Sequence, residues 1–279
     1  MNNINWYPGH MKKTRELISE NIKMSDVVLE ITDARIPKSG RNPIIDEIIG
    51  NKRRIIILTK SDLADKVETA KWQAKFKSEG KESMTINGNT GSGIKNLIKK
   101  LNEIKNEEDK KRNLKRSLRI MVVGVPNAGK SSIINRLSGK KSTRIGNKPG
   151  ITRGKQWVHI GENIDLLDTP GILWPKFEDP KSGLNLAFVG SIKDEILDIE
   201  DIAIELLKLL SLKYENLILS RYNLDSIGTS PLETMEKICK KRGFIKKGEN
   251  FDYERASKTI IDEFRSGKIG NITIDTIGD

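Results

Sequence analysis

The amino-acid sequence predicts an α/β protein, in which a domain with a mostly parallel sheet is joined to a smaller all-helical C-terminal domain. Through residues 1–174, apolar runs of strand length alternate with segments of helical period, which is typical of parallel sheets. After Pro175 the apolar residues keep helical spacing and no strand-like run intervenes. We therefore expect two domains, residues 1–174 and residues 175–279.

The expected elements follow from where these runs begin and end. Residues 54–58, RIIIL, illustrate the strands, because buried strands of a parallel sheet are almost continuously apolar. We expect strands near residues 26–32, 54–59, 83–87, 118–124, 155–160 and 163–168, and between them helices near 10–23, 42–49, 64–79, 93–105 and 130–138. Residues 107–117 are highly charged, which indicates a linker or a solvated helix extension. In the second domain, we expect helices near 183–192, 199–212, 231–242 and 251–266.

The charge of the chain is unevenly distributed. Of the formal net charge of +12, residues 175–279 contribute 16 Lys and Arg against 19 Asp and Glu, which leaves +15 for residues 1–174. Such asymmetry indicates a polyanionic partner, and nucleic acid fits better than a membrane. A lysine-rich surface that serves only solubility is the alternative.

The sequence predicts a cytoplasmic protein with no membrane partner and no obligate protein subunit. No run approaches the roughly 18–20 apolar residues that cross a bilayer, and the start of the chain lacks the apolar stretch of a signal peptide. The single cysteine, Cys239, excludes an internal disulfide and a cysteine-rich zinc site. We interpret it as an ordinary helical residue.

A phosphate-binding loop is predicted at residues 124–131, GVPNAGKS, which match G-x-x-x-x-G-K-[ST] between an apolar strand and a helical segment. The glycines let backbone N–H groups converge on a phosphate, and the helix N-terminus adds its positive dipole end. Lys130 supplies a charge toward the outer phosphates, and Ser131 is a candidate magnesium ligand. The expected nucleotide-binding residues of this loop are Asn127, Ala128, Gly129, Lys130, Ser131 and Ser132.

Two further segments predict the magnesium and γ-phosphate contacts. Asp168 follows an apolar strand, where a carboxylate can hold magnesium through water, and Gly171 can donate a backbone N–H to a γ-phosphate. Thr152 lies in the polar stretch PGIT, where a mobile hydroxyl suits a switch that orders around the γ-phosphate. We therefore expect magnesium at Ser131, Thr152 and Asp168. Lys130, Thr152 and Gly171 are the expected catalytic residues.

Base recognition is predicted at residues 59–62, TKSD, which resemble the guanine motif [NT]-K-x-D. Asp62 can accept hydrogen bonds from the ring N–H and the exocyclic amine of guanine, a donor pair that adenine lacks. The stem of Lys60 is expected to pack on the base, and Thr59 stands where asparagine is commoner. Asn87 is the candidate from a second base-contacting loop. The expected bound nucleotide is GTP or GDP.

The guanine motif precedes the P-loop, the reverse of the usual order. A circular permutation gives this order without altering the folded site. Together with residues 6–12 (WYPGHMK), 33–37 (DARIP) and 41–43 (RNP), it resembles the circularly permuted GTPases over residues 6–175. The resemblance implies a GTP-hydrolysing factor that acts late in assembly of the large ribosomal subunit, binds its ribosomal RNA, and hydrolyses GTP faster on the ribosomal particle.

The catalytic group is open, because Ile172 occupies the place where Ras-like enzymes orient water with glutamine. In one hypothesis, Asn127 helps to bind a potassium ion, as asparagine does in similar GTPases; a purely structural P-loop side chain is its alternative. In the other, His10 orients the attacking water. A surface or structural histidine is the alternative there.

The permuted order places the second switch, after Gly171, at the root of the C-terminal domain. We therefore expect hydrolysis to move residues 175–279. The basic residues between 237 and 247 form either a phosphate-contacting surface or a solvated helix face. Two other functions stay open: an RNA-associated GTPase that acts on a different RNA, and a non-enzymatic RNA-binding protein with a vestigial P-loop.

Overall fold

The computed structural model describes residues 16, 18–139, 157–160, 163–167 and 179–278. They contain a six-stranded sheet in the order β3-β2-β1-β4-β6-β5. The strands are β1 (Val27–Asp33), β2 (Arg53–Thr59), β3 (Glu82–Ile86), β4 (Leu118–Gly124), β5 (Trp157–Ile160) and β6 (Ile164–Leu167).

Helices alternate with the strands in the first part of the chain and follow one another after residue 179. They are α1 (helical residues 18–24), α2 (Pro43–Ile49), α3 (Lys66–Ser78), α4 (Ile94–Arg112), α5 (Lys130–Ser138), α6 (Pro180–Phe188), α7 (Ile199–Lys213), α8 (Glu215–Tyr222), α9 (Pro231–Arg242) and α10 (Tyr253–Arg265). Among these described helices, none combines the length and the apolar character that a membrane crossing requires.

The sheet is parallel except at one edge, where β5 runs antiparallel to β6. All of β1 is buried, because helices cover both faces of the sheet. Val28 belongs to the apolar cluster of α1 and α2, whereas its neighbours Val27 and Leu29 belong to the cluster that includes α4 and α5. The predicted α/β class with a mostly parallel sheet is confirmed.

Helix α4 is longer than predicted and continues through the charged stretch to residue 112. An ion pair one turn apart supports the extension, with Lys105 Nζ 2.6 Å from Asp109 Oδ2. The helix ends at Asn113, whose φ of 50° is left-handed. Of the two interpretations of this stretch, the helix extension is therefore correct up to residue 112.

The C-terminal helices differ from the prediction in two places. The segment expected at 183–192 forms α6 instead, which ends at Phe188 because Gly190 turns the chain with a φ of 75°. Helix α8 was not predicted, because its eight residues are separated from α7 by a single residue and carry little helical periodicity. Cys239 is buried in α9, and burial raises its pKa to about 11, as an inert helical residue requires.

After α10 the chain returns to the sheet as a C-terminal tail, residues 266–278. The N–H of Ile274 donates to the carbonyl of Arg35 at 2.7 Å, beyond the end of β1. The apolar cluster that contains the sheet residues also contains the cores of α6, α7, α9 and α10. The predicted boundary between residues 174 and 175 lies outside the described residues and stays a prediction.

Candidate nucleotide-binding site

The P-loop, residues 124–131, leads from the carboxyl end of β4 into α5. Gly124 has a φ of 155°, and a Cβ atom added there would lie 2.3 Å from the carbonyl oxygen of Ile31 in β1. Gly129, with a φ of 94°, is the N-cap of α5. Only glycine fits these two positions without strain. The two glycines therefore let the loop pass close to the central strand and enter the helix directly.

Gly124→Ala should lower the free energy of unfolding by about 3 kcal/mol, because neither β4 nor the backbone of Ile31 can move to admit the methyl group. The matched control is Gly139→Ala, at the end of α5. Its φ of 64° is also left-handed, but no atom of the described residues lies within 4 Å of the added Cβ. We expect a loss of only about 1 kcal/mol there. Urea unfolding followed by circular dichroism measures both, and equal losses would contradict the steric argument.

The first turn of α5 has the features of a phosphate site. Gly129 has no side chain with which to cap the helix, and helix N-termini of this kind favour bound anions. Lys130 is only 9% exposed, and its Nζ donates to the carbonyls of Gly124 (3.0 Å) and Val125 (2.7 Å). The ammonium charge thus lies against the loop backbone. Helix N-terminus, lysine and glycine cradle together fit a bound phosphate.

The guanine motif is joined to the P-loop through Thr59, the last residue of β2. Its Oγ1 donates to the carbonyl of Ala128 at 2.5 Å and lies 3.0 Å from the carbonyl of Thr32. A Cβ atom added at Gly129 would lie 3.4 Å from the same threonine. The threonine that stands where asparagine is commoner therefore connects the two predicted loops by a buried hydrogen bond.

Lys60 is held by an ion-pair network that sequence reasoning did not find. Its Nζ lies 2.9 Å from Oδ2 of Asp33, the fully buried last residue of β1. Arg35 reaches both oxygens of this carboxylate, through Nε at 3.0 Å and Nη2 at 2.9 Å. Burial alone would raise the pKa of Asp33, but the charges of Arg35 and Lys60 lower it to about 2. The sequence identifies residues 33–37, DARIP, only as part of the family resemblance. It does not predict their contact with Lys60, because no local pattern links the two segments.

Asp62 follows in a turn closed by the hydrogen bond from Leu63 N to Lys60 O at 2.9 Å. Its side chain is partly exposed. Within the described parts of the chain, no group donates a hydrogen bond to its carboxylate. Both oxygens can therefore serve a ligand, as the predicted contact with the base requires.

The second predicted base loop follows β3 and packs on α5. A Cβ atom added at Gly88 would lie 3.1 Å from Cβ of Ser132, and Arg136 Nε donates to the Gly88 carbonyl at 3.1 Å. The side-chain oxygen of Asn87, however, accepts from the N–H groups of Asn89 (2.8 Å) and of Thr90. The loop is thus placed beside the P-loop helix, while the side chain of Asn87 stabilises its own turn. Its contact with the base stays a prediction.

The remaining P-loop residues are placed as follows. Asn127 is exposed with a φ of 58°, and its Nδ2 donates to the carbonyl of Gly190, after α6, at 2.6 Å. Ala128 is buried, Ser131 is partly buried in the first turn of α5, and Ser132 is exposed. The hydrogen bond from Asn127 connects the P-loop directly to the C-terminal helices.

Four predicted site residues lie outside the described residues: His10, Thr152, Asp168 and Gly171. The described part of β6 ends at Leu167, one residue before Asp168 in the sequence, and β6 is the parallel neighbour of β4. The predicted catalytic roles of His10, Thr152 and Gly171 stay predictions. So do the magnesium contacts of Thr152 and Asp168.

Comparison with known proteins agrees with this arrangement. A family model described as "50S ribosome-binding GTPase" matches residues 119–227. The match begins in β4, so it includes the P-loop but not the guanine motif, which precedes β4 in this chain. That is the result expected for a permuted domain.

Similarity to individual proteins extends over nearly the whole chain, beyond the residues that the family model matches. The ribosome biogenesis GTPase A of Bacillus cereus is 42% identical over 277 residues, which cover 98% of this chain and 94% of that protein. GNP-bound YlqF from T. maritima has a TM-score of 0.72 at 31% identity, over 96% of this chain and 99% of that one. GDP-bound TM YlqF has a TM-score of 0.71 at 31% identity, over 94% and 100%. The chain therefore belongs to the ribosome biogenesis GTPase A family and is a GTP hydrolase that binds guanine nucleotides.

Proposed function

We propose that this chain is an assembly factor that acts late in maturation of the large ribosomal subunit and binds the precursor particle through its ribosomal RNA. The observation that carries the proposal is similarity to a ribosome biogenesis GTPase over 98% of the chain, which includes the sheet, the site and the C-terminal helices. The net charge of +15 on residues 1–174 supports a nucleic-acid partner.

In the proposed site, Asp62 reads the base, the stem of Lys60 packs on it, and the P-loop N–H groups bind the phosphates. Lys130 stabilises the charge on the outer phosphates, and the N–H of Gly171 contacts the γ-phosphate. The hydroxyls of Ser131 and Thr152 and the carboxylate of Asp168 would hold magnesium, since oxygen ligands are those that this ion prefers. When bound, magnesium neutralises phosphate charge during cleavage.

Ile172 stands where Ras-like enzymes have the glutamine that orients water, and a potassium ion held by Asn127 is the first candidate to replace its function. Its Nδ2 is occupied by the carbonyl of Gly190, and its Oδ1 accepts no hydrogen bond from the described residues, so this oxygen is available as a potassium ligand. His10 is the second candidate, as the group that orients the attacking water. Hydrolysis that is equally fast in sodium and potassium would exclude the first role. Unchanged hydrolysis by His10→Ala on the ribosomal particle would exclude the second.

The proposed RNA-binding surface includes α9. Lys237, Lys240 and Lys241 are spaced i, i+3, i+4 on the helix and line a cavity of about 340 Å³ together with Asp225 and Ser226. Lysines so placed suit contacts with the phosphates of a folded RNA rather than readout of its bases.

The test is GTP hydrolysis with and without large ribosomal subunits, in potassium and in sodium, combined with sedimentation from cell extracts. We expect the protein to migrate with immature large subunits and to hydrolyse GTP faster when they are added. Binding should weaken steeply as salt rises, because phosphate contacts release counterions. Migration with another RNA would favour the alternative of an RNA-associated GTPase with a different target.

A further inference from the structure

The C-terminal tail lies along the segment that directly follows the guanine motif. The N–H of Ile272 donates to the carbonyl of Leu63 at 3.0 Å. The hydroxyl of Thr273 accepts from the N–H of Asp65 at 3.1 Å. Leu63 and Asp65 are one and three residues beyond Asp62. Two hydrogen bonds from the tail thus fix the backbone just after the guanine motif.

The side chain of Leu63 also makes a close packing contact with the tail. Gly267, at the start of the tail, has a φ of 75°, and a Cβ atom added there would lie 2.6 Å from Cδ2 of Leu63. The side chain of Leu63 therefore packs directly against the backbone at the start of the tail.

The far end of the tail is anchored by Asp275, which is only 6% exposed. Its carboxylate accepts from the N–H groups of Lys38 (2.9 Å) and Ser39 (2.6 Å), from Ser39 Oγ (2.8 Å) and from Asn185 Nδ2 (2.9 Å). Its carbonyl accepts from Trp72 Nε1 at 2.7 Å. The anchor attaches the tail to the loop after β1, to α3 and to α6.

Lys60, which precedes Asp62 in the guanine motif, is connected to the end of α10 through Asp33 and Arg35. Arg35 Nη1 lies 3.3 Å from the carbonyl of Phe264 and 3.2 Å from that of Arg265, at the end of α10. The same guanidinium pairs with Asp33, which pairs with Lys60. Residues on both sides of Asp62 are therefore held by the last part of the chain.

We propose that the C-terminal tail is a positioning segment for base recognition, with Thr273 and Asp275 as its positioning residues. By fixing the backbone at Leu63 and Asp65, the tail fixes the direction of the Asp62 carboxylate, whose hydrogen bonds to guanine depend strongly on angle. This inference rests on the proposed role of Asp62. It makes discrimination between bases depend on residues that touch no nucleotide.

The first experiment compares the dissociation constants of GDP and IDP by calorimetry. Inosine lacks the exocyclic amine, so the ratio of the two constants reports the second hydrogen bond to Asp62. Thr273→Val should reduce this ratio by about threefold to tenfold, as expected when a hydrogen bond to a charged group is weakened. The matched control is Thr234→Val, since Thr234 is equally buried and its hydroxyl accepts from Gly228 N at 2.9 Å inside the helical part. There the ratio should stay at the wild-type value.

Hydrogen exchange on the unmodified protein gives an independent test. Coupling between two sites is reciprocal, so GDP should raise the protection of the Ile272 and Asp65 amides more than IDP does, at saturation by each. Equal protection by the two nucleotides, or a wild-type ratio in Thr273→Val, would overturn the inference.

Asp62→Asn distinguishes failure of the tail's proposed role from failure of the proposed role of Asp62. If that variant abolishes the preference for GDP while Thr273→Val does not, only the tail's role fails; if it leaves the preference intact, the assignment of Asp62 fails as well.

Discussion

Asp62→Asn should lower the affinity for GDP about 100-fold and allow the protein to bind XDP. In the proposed site the carboxylate accepts from the ring N–H and the exocyclic amine of guanine, and loss of a hydrogen bond to a charged group costs about 1.5–3 kcal/mol. Xanthine carries a carbonyl in place of that amine. The asparagine amide can donate to this carbonyl and still accept from the ring N–H, whereas the native carboxylate would repel it.

Calorimetric titration with both nucleotides measures the exchange of preference. The fold should be unaffected, because the Asp62 carboxylate has no hydrogen-bond donor among the described residues. Asp225→Asn, at an exposed aspartate after α8, is the control and should bind GDP like the wild type. If Asp62→Asn kept its affinity for GDP, the base would have to be read by another loop, such as the one that contains Asn87.

The parts of the site that the sequence predicts are those with a local signal. The P-loop follows from glycines at fixed spacing between a strand and a helix, and both Gly124 and Gly129 have the backbone that only glycine adopts freely. The guanine motif follows in the same way from its position after β2. The buried link from Thr59 to Ala128 then gives a structural reason for threonine in the first position of the motif.

The contacts that the sequence does not predict join residues far apart in the chain. The ion pair of Asp33 with Lys60 and the tail's contacts with Leu63 and Asp65 span 27 to more than 200 residues, and no helical or strand period links them. One signal was present: Ile272 and Ile274 alternate with polar residues, a pattern that predicts an extended segment with one buried face, and Thr273 is buried as well. The pattern predicts burial but not the surface that provides it.

These long-range contacts change how the nucleotide site is connected to the C-terminal helices. The permuted order predicts one connection, through the second switch after Gly171. The described residues add two others, one from the P-loop through Asn127 to Gly190, and one from the guanine motif to the tail. The P-loop and the segment that contains the predicted guanine motif therefore contact the C-terminal part at separate points.

Lys130→Met should reduce the rate of GTP hydrolysis at least about 100-fold, the loss typical when one preorganised charge or donor at the transition state is removed. Methionine keeps an unbranched apolar stem but removes the ammonium. Because Lys130 Nζ also donates to the buried carbonyl of Val125, we expect a loss of about 1–3 kcal/mol in the free energy of unfolding. Hydrolysis must therefore be measured well below the unfolding temperature of the variant.

A single-turnover assay of phosphate release at saturating GTP separates the chemical step from binding. The control is Lys95→Met, since Lys95 is an exposed lysine near the start of α4 and should leave the rate unchanged. A folded Lys130→Met that still hydrolysed GTP at the wild-type rate would mean that another cation carries the phosphate charge. In that case potassium at Asn127 becomes the first candidate, and the residual rate should then fall when sodium replaces potassium.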